Sequence, residues 1–86
     1  MSGYEKFLKR ILNDQADADI AFDELCSLLK RLKFKERVRG GHHIYSLEGI
    51  EEIINIQPIQ FKAKPYQVKQ IRNIIRKYHL AEERKK

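Results

Sequence analysis

The sequence predicts an α+β domain of order α-α-β-β-β-α, with a three-stranded antiparallel sheet carrying its helices on one face. Three observations predict it. Apolar residues recur at helical spacing in two N-terminal segments and one C-terminal segment. Between them, from Phe34, the apolar period drops from 3.6 to 2. Gly40-Gly41, Glu48-Gly49 and Pro58 then punctuate the alternating stretch at hairpin spacing.

Taken in order, Tyr4, Phe7, Leu8, Ile11 and Leu12 make the apolar stripe of a helix over 3–13. Residues 13–19, rich in Asp and Ala, read as a polar connection. A second helix over 22–32 buries Phe22, Leu25, Cys26, Leu28, Leu29 and Leu32. Asp23 and Glu24 in its first turn, and Lys30, Arg31 and Lys33 at its last, complement its dipole. The first strand covers 34–39, with Phe34 and Val38 on one face and Lys35, Arg37 and Arg39 on the other. Gly40-Gly41 turns the chain into a second strand over 42–47. A third strand over 52–57 surrounds Ile53, Ile54 and Ile56 and stops at Pro58, which cannot donate to a ladder. Pro65 opens the last helix in the first-turn position that proline tolerates. Val68, Ile71, Ile74, Ile75 and Tyr78 form its stripe, and Lys69, Arg72, Arg76 and Lys77 fall outside it.

Eighty-six residues make one domain, 1–86, with the helix over 3–13 as an addition and 81–86 as a charged tail. Its balance of 42% hydrophobic and 35% charged residues excludes a disordered chain. No apolar run approaches the ~20 residues a spanning helix needs, and no signal peptide is visible. A single cysteine, Cys26, fits a reducing, cytoplasmic setting and a place in the core. The net charge of +6 is uneven: residues 1–29 carry −3 and residues 30–86 carry +9. An excess of that kind points to a polyanionic partner, nucleic acid above all, rather than to a membrane surface.

The chemistry-bearing stretch is Gly40-Gly41-His42-His43-Ile44-Tyr45. RNA brings its own nucleophile, the 2′-hydroxyl. Cleavage then needs a base, an acid for the leaving oxygen, and cations for the developing phosphorane charge. Imidazole suits the acid–base role because its unperturbed pKa of ~6.5 leaves both forms available near neutrality. Glycines let a phosphate approach the backbone, and the Lys35, Arg37, Arg39 row offers cations. A metal site is not supported, since no Cys, His or carboxylate cluster has ligand spacing. Ser27 and Ser46 lie in no nucleophile elbow, and His79 sits at a helix end, where it interacts with the dipole. Alternation places His43 with Tyr45 and Leu47, the more apolar set, and His42 with Ile44 and Ser46.

Phe22-Asp23-Glu24-Leu25-Cys26-Ser27-Leu28-Leu29-Lys30-Arg31-Leu32-Lys33-Phe34, followed by Val38-Arg39-Gly40-Gly41-His42-His43-Ile44-Tyr45, resembles the HicA toxin family. Lys64-Pro65-Tyr66-Gln67-Val68-Lys69-Gln70-Ile71-Arg72-Asn73-Ile74-Ile75 adds to the resemblance, which covers roughly residues 20–80. The resemblance implies a core like the double-stranded RNA-binding domain, α-β-β-β-α. It also implies a metal-independent endoribonuclease (an mRNA interferase of a toxin–antitoxin system) that cuts messenger RNA without any cofactor and is neutralised by a HicB-type antitoxin protein. The family's histidine corresponds to His43, with His42 as the alternative. Lys35, Arg37, Arg39, Gly40 and Gly41 are then expected at the RNA, with Lys69, Arg72 and Arg76 as a second track. Three departures stand out: Gly41 replaces the usual serine, no histidine follows Pro58, and the helix over 3–13 lies outside the family pattern. A non-catalytic double-stranded RNA-binding module is the rival expectation, and a domain that pairs its basic stripe with an acidic protein is a second.

Overall fold

In the computed structural model, which describes residues 3–13 and 17–83, the elements follow the expected order. They are α1 (Gly3–Leu12), a 3-10 turn (Asp17–Asp19), α2 (Phe22–Arg31), β1 (Lys35–Arg39), β2 (His42–Ser46), β3 (Ile54–Ile56), α3 (Pro65–Lys77) and a short α4 (Leu80–Glu83). Residues 14–16 of the expected connection and 84–86 of the expected tail lie outside the described residues. Among the described residues no helix is long and apolar enough to cross a membrane.

The helix layer forms because three amphipathic stripes need one another's cover. α1 contributes Phe7 and Ile11, α2 contributes Phe22, Leu25, Cys26, Leu28 and Leu29, and α3 contributes Val68, Ile71, Ile74 and Ile75 to one core. α1 packs on both α2 and α3, and the Arg31 guanidinium lies 4.3 Å above the Tyr4 ring. The added helix therefore completes the flank of the core.

The turn from helix to sheet is made by backbone hydrogen bonds. After Leu32, Lys33 takes a left-handed φ of 80°. Phe34 N–H donates to Leu29 C=O and Lys33 N–H to Lys30 C=O, each at 3.0 Å. This pair is the Schellman pattern, which occupies carbonyls the helix end leaves open. Phe34 then drops into the core at 5% exposure and β1 begins.

The sheet has order β1-β2-β3, antiparallel throughout. Lys35 faces Ser46, Glu36 faces Tyr45, Arg37 faces Ile44, Val38 faces His43 and Arg39 faces His42. Across the other seam His43 faces Ile56 and Tyr45 faces Ile54. Tyr45, Ile54 and Ile56 are fully buried, so this face meets the helices. β3 is shorter than the expected 52–57: Ile53 points away from the core and is 61% exposed.

One expectation about α3 is overturned. Arg72 does not join an outer basic track; it is 3% exposed. Its position, one turn after Val68, puts it on the flank of the apolar stripe, and the 3-10 turn and the end of α1 close over that flank. There its guanidinium donates to both Asp17 carboxylate oxygens, at 2.7 and 3.1 Å, and to Ile11 C=O at 3.3 Å. The Arg72 guanidinium holds the Asp17 carboxyl below its ordinary range. The pair anchors the end of α1 and the 3-10 turn on α3. Truncation of a buried partner costs far more than loss of a surface pair. Arg72→Ala is expected to lower stability by about 3 kcal/mol, read as a fall in the urea midpoint at unchanged slope.

Candidate active site at the hairpin end

Gly40 and Gly41 make the whole connection between β1 and β2, with φ of +52° and +86°. A two-residue turn with both φ positive matches the right-handed twist of its strands, and glycine adopts that backbone without strain. A side chain at Gly41 would have room, its nearest neighbour being Gln57 Nε2 at 3.9 Å. Backbone conformation, not crowding, is what requires glycine here.

The register divides the sequence-predicted residues between two faces. Lys35, Arg37 and Arg39 share the outer face with His42, which lies opposite Arg39. Alternate residues of a strand stand about 6.8 Å apart, and all three cations are exposed. Among the described residues none of the three has an acidic partner. His42 Nδ1 lies 3.1 Å from Asn55 Oδ1 on β3. The outer face is thus a row of unpaired cations ending in a histidine.

His43 is on the helix-facing side, as the alternation indicates, yet it is not sealed. Its side chain is 26% exposed, and its cross-strand neighbour Val38 is 55% exposed, because the helix layer stops short of the hairpin end. The Phe22 ring meets the imidazole edge to face, centroids 4.9 Å apart at 74°. Nδ1 lies 3.1 Å from Glu36 Oε2. The same oxygen accepts from the Tyr45 hydroxyl at 2.6 Å, and Lys30 Nζ is 3.0 Å from Glu36 Oε1. These donors, led by Tyr45 and then His43, bring the Glu36 pKa down to about 2. An ionised carboxylate only accepts, so it takes a hydrogen bond from His43 Nδ1–H, which leaves Nε2 as the ring nitrogen not engaged by Glu36.

Sequence reasoning missed Glu36, Lys30, Tyr45 and Phe22 as members of this site. A signal was present: Glu36 is the lone acid in a basic strand, and the period-two pattern puts it on the apolar face with Phe34 and Val38. An acid at an inward position requires donors, and the register supplies Tyr45 directly opposite. Cys26, Glu36 and His43, far apart in sequence, bring their donor atoms within 4.8 Å of one another. The Lys30 ammonium already occupies the carboxylate, and burial pushes the Cys26 thiol up, which keeps it protonated. Glu36 joins Lys30, His43 and Tyr45 in one hydrogen-bond network.

The remaining expected residues do not converge on this end as a track. Lys69 is exposed on α3, Arg76 donates to Leu12 C=O, and Arg72 is inside. His79 follows the end of α3 with a left-handed φ of 55°.

Glu36 also sets an acid limb to stability. Its folded pKa lies below its ordinary 4.5, so its contribution is complete above about pH 4.5 and fades as pH falls toward 2. Glu52 is likewise lowered to about 2 by Lys77 and Tyr78, and Asp17 and Asp19 are lowered too. Glu36→Gln is expected to reduce, without abolishing, the loss of stability across that window, measured by denaturant unfolding at a series of pH values.

Comparison of the chain with protein-family models, with curated proteins and with solved structures found no match.

Proposed function

We propose that the protein is a HicA-like ribonuclease that binds messenger RNA and cleaves it with His43, without a metal. A HicB-type partner neutralises it in the cytoplasm. The observation that carries the catalytic part is the His43–Glu36 pair. A carboxylate on Nδ1 fixes the tautomer, leaves Nε2 as the base, and stabilises the imidazolium that forms when a proton is taken. His42 is the weaker candidate because Asn55 is neutral and offers no such compensation.

In the proposed reaction Nε2 of His43 removes the 2′-hydroxyl proton. The 2′-oxygen attacks the adjacent phosphorus, and the bond from phosphorus to the 5′-oxygen breaks. The products are a 2′,3′-cyclic phosphate and a 5′-hydroxyl, the leaving oxygen taking its proton from the imidazolium or from water. Of the candidate phosphate contacts, Arg39 and the bare Gly40-Gly41 backbone lie nearest His43 in the chain and serve the phosphate, while Arg37 and Lys35 extend the contact along the strand. The resemblance over residues 20–80 and the agreement of the observed element order with the one it implies support the assignment to this class.

A second reading is favoured by a specific observation: the cation row and His43 lie on opposite faces of the sheet. A non-catalytic RNA-binding module would use the row alone.

Incubating single-stranded RNA with the protein in EDTA separates the two readings. The proposal expects cyclic-phosphate ends, and a fall of about 10²- to 10⁴-fold in their formation for His43→Ala. Binding without any cyclic phosphate overturns the nuclease assignment. For the outer face, Arg37→Ala and Arg39→Ala are each expected to weaken RNA binding irrespective of sequence. Each should also reduce the slope of log affinity against log salt by about 1, measured by fluorescence anisotropy.

A further inference from the structure

Phe61 is 89% exposed, the most exposed large hydrophobic side chain in the described structure. It sits at the tip of a second two-residue turn, where Ile59 and Lys62 exchange backbone hydrogen bonds of 2.9 and 3.0 Å around Gln60 and Phe61. Gln60 and Phe61 both have positive φ, 52° and 70°. That backbone is the one Gly40-Gly41 adopts freely on the neighbouring hairpin; here a glutamine and an aromatic residue carry it with strain.

The turn is pinned. Phe22 N–H, the first amide of α2, donates to Phe61 C=O at 3.0 Å, and Ala63 N–H donates to Ile20 C=O at 2.9 Å. Lys62 Nζ pairs with Asp19 Oδ1 at 2.7 Å. The fold thus holds a strained aromatic ring out in water, where it buries nothing and gains nothing from the core. Its position is informative as well. Phe61 is bonded through its carbonyl to Phe22, and the Phe22 ring is the one that packs on His43. Lys62 and Lys64 follow it in the chain, and then Tyr66, 64% exposed with Lys64 Nζ 5.9 Å from its ring centre.

We propose that Phe61 is a stacking platform for an unpaired RNA base beside His43. The inference rests on the ribonuclease reading and adds a substrate class to it. A base inside a duplex has both faces covered, so a ring presented in this way selects single-stranded RNA over double-stranded RNA. An exposed ring followed by Lys62 and Lys64, in a chain region of net +9, suits a nucleobase with its phosphates better than an apolar protein surface.

The chain has no tryptophan, so Phe61→Trp installs a sole indole at the tip, whose emission is excited selectively beyond the tyrosine band. A short 2′-O-methyl oligouridine, which cannot be cut for lack of a free 2′-hydroxyl, serves as the probe. Its addition is expected to quench the indole emission of the Phe61→Trp protein. Phe61→Ala is expected to weaken binding by about 5- to 150-fold, Phe61→Trp to retain it, and an abasic ribose-phosphate oligomer to show no such difference. Phe61→Gly, which suits the left-handed backbone, is expected to keep or raise the melting temperature while losing affinity. Wild-type affinity in Phe61→Ala alongside weakened binding by Arg37→Ala overturns the stacking platform and leaves the RNA reading intact. Equal losses on oligouridine and on the abasic oligomer also overturn it. No RNA binding by the wild type overturns both.

Discussion

The constraint on which the rest of the structure depends is the Glu36 carboxylate, turned toward the helices from a strand whose other charged residues face water. A carboxylate in that position is stable only if donors surround it. They come from two elements, Lys30 on α2 and His43 and Tyr45 on β2, and converge on Glu36 from β1. Tyr45 is fully buried, and that burial, together with the carboxylate that accepts its hydroxyl, drives the tyrosine far above its ordinary range. One acidic side chain therefore braces β1 on β2 in the register that the Gly40-Gly41 turn sets, ties the hairpin to α2, and orients the histidine at the rim. Structure and proposed chemistry share the same group, so a change at Glu36 cannot alter one and spare the other.

How much of this the sequence displayed depends on the range of the interaction. The helices and the strand pair were legible because amphipathic periods of 3.6 and 2 are local properties, and the cation row was legible for the same reason. Arg72 was misplaced because a helical wheel reports which side of the stripe a residue flanks, not what lies beyond that side. Only the arrival of Asp17 and the Ile11 carbonyl makes the flank an inside. The histidine network was not legible as a unit, since it joins positions 22, 30, 36, 43 and 45 through a register and a helix packing that no spacing rule encodes. Its one local trace was an acid on an apolar face. The Schellman turn at Lys33 was hidden for a related reason: the residue in the left-handed position is a lysine, not the usual glycine.

Two of the tight turns among the described residues make a useful contrast. Both have two central residues at positive φ, and both are short enough to fix the pairing of their flanks. One is Gly40-Gly41, where the backbone needs no help. The other is Gln60-Phe61, where it does, and where surrounding hydrogen bonds from residues 20–22 supply the restraint. If the turn served only to connect β3 to α3, glycine would serve better, and a buried or polar side chain would cost less than an exposed phenyl ring.

The same reasoning bears on the separation between the cation row and His43. The sheet is one layer thick, and its hairpin end is a pair of glycines without side chains. Arg39 and His43 lie on opposite faces but are only four residues apart, across that bare turn. On the ribonuclease reading, a polynucleotide lying along Lys35, Arg37 and Arg39 would reach His43 by passing over the Gly40-Gly41 backbone, where the nearest side-chain atom to a Cβ at Gly41 is Gln57 Nε2 at 3.9 Å. A serine at Gly41 would add a hydroxyl to that edge but would have to adopt a φ of +86° to do so. The absence of a side chain there keeps the turn unstrained and leaves only two residues of backbone between the Arg39 end of β1 and the histidine end of β2.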